Sequence, residues 1–195
     1  MQGGAQGHAE LFALRKGVGV FNHAGAVADA ADLALRFALQ HGLRERVANA
    51  VELGGYVHWA GWPRLRVAID GRMDTVYTPE ELRRGLGAQT GARTFAALRR
   101  EDGADWVLAA NEFGVESHLF LARDPAWALV YWSEAAAVLV RRDAYPALAP
   151  LAFAHFDRAA PFPAIERAAA LVRREPERLA PVEAELQRLV AASPQ

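Results

Sequence analysis

The sequence predicts an α/β domain of three layers: a mainly parallel sheet between helices, an antiparallel hairpin at one edge, and helices at the C-terminus. Three observations carry that prediction. Short apolar runs alternate with helix-period segments between Ala26 and Ala110. Two further apolar runs flank the polar pair Ser133-Glu134. Beyond Arg142 the chain turns Pro- and Ala-rich and then returns to helical periodicity.

Residues 1–25 are Gly- and Ala-rich with weak periodicity, and are expected to drape over the domain or fray. From Ala26 to His41, Val27, Ala31, Leu35 and Leu39 share one helical face, and Gly42 suits a left-handed cap. Arg46–Ala50 reads as a first buried strand, broken by Gly54-Gly55, with Tyr56–Trp59 a short helix or turn. Arg66–Asp70 reads as the second strand. Thr78-Pro79-Glu80-Glu81 is a helix start: the hydroxyl caps free N–H groups, proline lacks only a hydrogen that would go unused, and the acids favour the positive dipole end. A second helical pattern runs from Phe95 to Glu101 and stops at Gly103.

Asp105–Ala110 is the third strand, and Gly114–Arg123 is expected to form a short helix ended by Asp124-Pro125. Trp127–Trp132 and Ala135–Val140 then make a hairpin. Ala164–Val172 and Ala180–Ala191 are two amphipathic helices split at Arg174–Glu177. The expected organisation is therefore a loose segment over 1–25, an α/β domain over 26–142, and a connection with a helical pair over 143–195.

The chain has 195 residues, 52% hydrophobic and 23% charged, enough for a packed core rather than disorder. A net charge of -1 gives no general pull toward nucleic acid or an anionic membrane. Lys16 is the only lysine, a compositional bias toward arginine rather than a phosphate-recognition signal. Without cysteine, disulfides, thiolate metal sites and cysteine nucleophiles are excluded. No run approaches the roughly 20 apolar residues that span a bilayer, and the first residues lack the basic start and apolar core of a signal peptide, so the chain as written reads as soluble.

The most chemically suggestive stretch is AIDGRMDTVYTPEEL, Ala68 to Leu82. Asp70 falls at the carboxyl end of a strand, the edge where open α/β sheets place ligands, and Asn49 ends the neighbouring strand. Asn49, Glu52, Asp70, Arg72 and Asp74 are thus expected to converge on a polar crevice. Two readings compete. In one, carboxylates do acid–base work while Arg72 grips an anion; in the other, favoured about two to one, Arg72 neutralises an acid and fixes the loop. Gly54-Gly55 resembles half of a phosphate cradle, although close packing is the commoner use of such a pair. The histidines at 8, 23, 41, 58, 118 and 155 form no metal-binding pattern, and Ser117-His118 has no nucleophile-elbow context, so neither a metal nor a catalytic residue is assigned. Trp59 and Trp62 are candidates for an exposed rim, whereas Trp106 and Trp132 belong in apolar runs.

Four blocks, from Val20-Phe21 to Gly42-Leu43, VANAVELGGYVHWAGWPRLRVAIDGRMDTVY, ADWVLAA and DPAWALVYWSEAAAVLVRR, together resemble an extracytoplasmic segment of bacterial multi-spanning membrane proteins whose membrane portion is similar to lipid-linked-sugar glycosyltransferases. GGYVHW and AIDGRMDTVY carry most of the likeness, which covers residues 20–142. Gly54, Gly55, Tyr56, Trp59, Pro63, Asp70, Gly71, Arg72, Asp74 and Tyr77 match, and Asn49 is retained where VANA replaces the usual FN. The resemblance implies a non-catalytic accessory domain in the periplasm, partnered by a transmembrane portion of the same parent protein and able to meet a glycan or sugar phosphate. Its implied ligand surface is Asn49, Glu52, Gly54, Gly55, Tyr56, Trp59, Asp70, Arg72, Asp74 and Tyr77, with no cofactor. A freestanding enzyme with a carboxylate acid/base, cytoplasmic if the chain is complete, and a structural protein-interaction domain are the alternatives.

Overall fold

A computed structural model describes residues 22–111 and 116–192. The first helix, α1 (Asn22–Gln40), buries Ala31, Ala34, Leu35 and Ala38 along one face. It ends as the glycine requires: Gly42 takes φ +76°, and the amides of Gly42 and Leu43 turn back to the carbonyls of Leu39 and Ala38. The helix starts four residues before the apolar periodicity does. Most of the N-terminal segment expected to fray, residues 1–21, lies outside the described residues.

β1 (Glu45–Asn49) leads directly into α2 (Val51–Gly61). Here the sequence reading needs correction. Gly54-Gly55 do not break a strand, and Tyr56–Trp59 are not a separate turn; all lie inside one eleven-residue helix. Apolar burial at Leu53 and Val57 outweighs the weak helix propensity of the glycines. β2 is short, Leu65–Val67, and Ala68–Asp70 run beyond it without regular strand pairing. A single 3-10 turn at Met73–Thr75 precedes α3 (Pro79–Thr90).

The start of α3 is the reciprocal cap that its sequence predicts. The Thr78 hydroxyl accepts from the Glu81 amide at 3.3 Å, and Glu81 Oε2 accepts from the Thr78 amide at 2.7 Å. α4 (Ala92–Asp102) follows across Gly91 and ends at Gly103, φ +72°. β3 (Trp106–Ala110) is buried throughout. The helix expected over Gly114–Arg123 is only a 3-10 turn at Leu119–Arg123, and residues 112–115 lie outside the described residues. The hairpin forms as expected from β4 (Trp127–Trp132) and β5 (Ala136–Arg141), with an irregularity between Leu129 and Tyr131.

The five strands are ordered β2-β1-β3-β5-β4. β1 pairs in parallel with β2 and β3, and the hairpin continues the sheet in antiparallel fashion from β3. Apolar side chains from α1 and α2, including Leu35, Leu53 and Val57, cover one face of the sheet. Ala88, Phe95 and Leu98 from α3 and α4 cover the other. This is the predicted mixed α/β arrangement of three layers.

Two C-terminal helices, α5 (Pro161–Arg174) and α6 (Leu179–Ala192), match the expected pair to within three residues at their near ends. α6 is held by a buried carboxylate, since Glu185 accepts from the amides of Ala154, His155 and Phe156 at 2.7–3.0 Å. Among the described residues no helix is long and apolar enough to cross a membrane.

Candidate functional site

The predicted crevice resolves into a tied corner. Asn49, at the end of β1, is buried, and its side-chain amide meets backbone on three sides. Nδ2 donates to the carbonyls of Ile69 at 2.7 Å and Ala50 at 2.8 Å, while Oδ1 accepts from the Ala68 amide at 2.9 Å. Asn49 therefore fastens the irregular end of the β2 segment to β1, where ladder hydrogen bonds stop.

Asp70 follows that clamp and is 1% exposed. Both of its oxygens face Arg72. Arg72 Nε lies 3.0 Å from each oxygen and Nη2 2.7 Å from Oδ2, while the Arg72 amide donates to Oδ1 at 3.0 Å. The guanidinium hydrogen bonds hold the carboxyl below the usual carboxylate range, against the opposing effect of burial. Burial and the nearby Asp70 charge push the Tyr77 phenol up. This is a closed, charge-neutral turn, which the sequence weighed as the likelier of its two readings.

The remaining candidates do not join it. Glu52 stands exposed on the first turn of α2, and Asp74 is exposed on the 3-10 turn. The Tyr56 hydroxyl donates to Asp32 Oδ1 at 2.6 Å, which directs it toward α1 rather than the corner. Trp59 is 55% exposed and Trp62 62%, so the rim tryptophans are on the surface as expected. Trp106, by contrast, is fully buried and donates to the Arg44 carbonyl at 3.1 Å.

Gly54 and Gly55 do not form a phosphate cradle, because helical carbonyls claim N–H groups at these positions. Their uses differ. A Cβ on Gly54 would lie 2.1 Å from the Ile69 carbonyl oxygen and 2.8 Å from Asn49 Nδ2, whereas one on Gly55 would meet nothing. Gly54 thus lets α2 lie against the end of the β2 segment.

A second polar cluster escaped the sequence reading. From β1 the chain crosses to β2 on one side and returns to β3 on the other, so the carboxyl ends of β1 and β3 form the switch point at which open sheets offer a crevice. At the end of β3, Ser117 Oγ accepts from the Ala110 amide at 3.0 Å and lies 3.0 Å from His118 Nδ1. The His118 amide donates to the Gln89 carbonyl, and Gln89 Oε1 accepts from Val51 at the start of α2.

Arg158 enters the same cluster from the turn before α5. Its Nη2 donates to the Ala110 carbonyl at 2.6 Å and its Nε to Asn111 Oδ1, while Asn111 Nδ2 reaches the Ser133 carbonyl at 2.7 Å. Arg158 is 6% exposed, and among the described residues its Nη1 has no hydrogen-bond partner. Burial lowers its pKa to about 10, with the charge of Glu116 acting in the opposite sense. A buried charged donor left without a partner costs about 1–3 kcal/mol or more. His118 is fully buried, with backbone φ +58°, and its pKa falls to about 3 through burial and then the Arg158 charge.

The Ser117-His118 contact has the form of a nucleophile and base, but both side chains are buried away from a substrate. Among the described residues no group of three or more His, Asp or Glu is placed to hold a metal ion. Only Ser117-His118 drew notice in the sequence. Arg158 sits in a Pro- and Ala-rich connection with no motif, and only the folded chain shows where it inserts.

Two outcomes follow from these contacts. Gly54→Ala should destabilise by at least about 1–3 kcal/mol in equilibrium denaturation, since the opposing carbonyl belongs to the backbone, while Gly55→Ala should gain up to about 1 kcal/mol from helix propensity. A second concerns pH. As pH falls from about 6.5 toward 3, the unfolded chain gains a proton at residue 118 that the folded chain refuses, so stability declines by up to about 1.4 kcal/mol per unit. Denaturant unfolding across that range should show the decline, and His118→Phe should flatten it.

Compared with known proteins, the chain matches no family model, no curated protein and no solved structure.

Proposed function

We propose that this chain is a non-catalytic binding or scaffolding domain of a membrane glycosyltransferase-like protein, acting on the extracytoplasmic side. The observation that carries the non-catalytic part is the Asp70–Arg72 pair. A general acid or base needs a carboxyl that is free to exchange a proton near the working pH. Asp70 has both oxygens occupied and a lowered pKa, so it is suited to holding a loop and not to moving protons.

The membrane-protein part rests on the resemblance carried by GGYVHW and AIDGRMDTVY. Within it, Asn49, Gly54, Asp70 and Arg72 are explained as the residues that build one corner. Trp59 and Trp62 are the surface we assign to contact with the rest of the parent protein. They lie three residues apart at the C-terminal end of α2, and large exposed aromatic rings supply the apolar area that protein contacts use.

Carbon-detected NMR titration of the carboxyl groups tests the non-catalytic reading. Asp70 should titrate below the ordinary value of about 3.9; a midpoint near 6–7 would restore an acid/base role. The native reading frame upstream of Met1 tests the other half. It should encode several apolar spans of about 20 residues, and a frame without them would overturn the membrane-protein assignment.

A further inference from the structure

We infer that Arg158 anchors a binding site for a small oxyanion, a phosphate or carboxylate group, at the carboxyl end of β3. The inference is independent of the Asp70–Arg72 corner and of any contact through the tryptophans. It begins with how the guanidinium is held. Nη2 and Nε are fixed by two neutral acceptors, the Ala110 carbonyl and the Asn111 side chain. Neither balances the positive charge. Nη1 is buried, and among the described residues it has no partner and no carboxylate forms a salt bridge with Arg158.

Elsewhere in this chain arginines do otherwise. Arg72 closes on Asp70, Arg99 and Arg141 share Asp105, and Arg84 pairs with Glu101. The arginines of those pairs are at least partly exposed. Arg158 is the buried one, and there an uncompensated cation is expensive. A planar guanidinium pinned by two of its nitrogens is preorganised to present the third to an anionic oxygen.

Location supplies the second, independent argument. The cluster crosses the carboxyl end of β3, next to the switch point where the chain reverses its direction of travel across the sheet. Parallel βα units aim their helix N-termini toward that edge, which further favours negative charge there. Neighbouring His118 stays neutral, so it neither competes for the anion as a second cation nor repels it. Glu116, exposed nearby, is a carboxylate whose charge acts on Arg158, and an incoming oxyanion must contend with it.

Inorganic phosphate, sulfate and acetate, added at fixed ionic strength with chloride as the reference, test the site on the whole chain. In nitrogen-15 spectra of the wild type, the Arg158 Nε–H signal should shift saturably with phosphate, and acetate and sulfate define which oxyanion geometry fits best. Phosphate should raise the wild-type melting temperature; Arg158→Gln should abolish that rise, Arg158→Lys should weaken binding about tenfold or more, and Arg72→Gln should leave it intact. Glu116→Gln should tighten binding. An Arg158 signal that moves no more with any of the three anions than with chloride would overturn the site. So would equal anion stabilisation of wild type and Arg158→Gln. Should Arg158→Gln fail to fold, the wild-type titration decides alone.

Discussion

The side-chain amide of Asn49 is the contact on which this architecture turns. β2 pairs with β1 over only three residues, and beyond Val67 the ladder stops after one backbone bond, from the Ala68 amide to the Val47 carbonyl. Asn49 replaces that ladder with hydrogen bonds to Ala68 and Ile69, and a third to Ala50 sets the path into α2. Gly54 then permits α2 to lie directly on the same spot, against the Ile69 carbonyl. On the opposite face Gly85 of α3 meets the Ile69 side chain, where a Cβ would come within 2.8 Å. Helices from both layers therefore close on one residue, and they can do so only because Asn49 holds its backbone still.

The Asp70–Arg72 turn follows from that arrangement. Once Ile69 is fixed, Asp70 is carried into the interior, and a buried carboxylate needs a partner. Arg72, two residues on, is the shortest available solution, and it lets the chain reverse through Met73 into the Thr78 cap. The charges that looked like chemistry are thus the means by which a tight corner stays folded. Arg158 makes the useful contrast. It is buried at the end of a central strand, held by the Ala110 carbonyl and the Asn111 side chain, with no acid to pair with among the described residues.

Much of the fold was legible in the sequence because its signals are local. Gly42 and Gly103 end helices through left-handed geometry, Thr78-Pro79 starts one through a cap, and the hairpin announces itself by two apolar runs and a polar break. What was misread depended on distant partners. Gly54-Gly55 look like a breaker until Ile69, fifteen residues beyond Gly54, is brought beside Gly54 to form the surface it packs on. The corner is half legible: Asn49, Asp70 and Arg72 meet at one end of the β2 segment, but Tyr56 turns to α1, and Glu52 and Asp74 remain on the surface. Arg158 was invisible, since no periodicity or motif in its Pro- and Ala-rich surroundings marks an inward-facing residue.

Equilibrium denaturation of Asn49→Ala tests the central role of the amide most directly. Removing it strands the buried Ile69 carbonyl, whereas the Ala68 amide keeps the Val47 carbonyl as acceptor and the Ala50 carbonyl keeps the Leu53 amide as donor. At about 1–3 kcal/mol for a buried group left unsatisfied, the variant should lose roughly 1–3 kcal/mol. A loss below about 0.5 kcal/mol would show that the two layers hold Ile69 without Asn49 and would contradict the account.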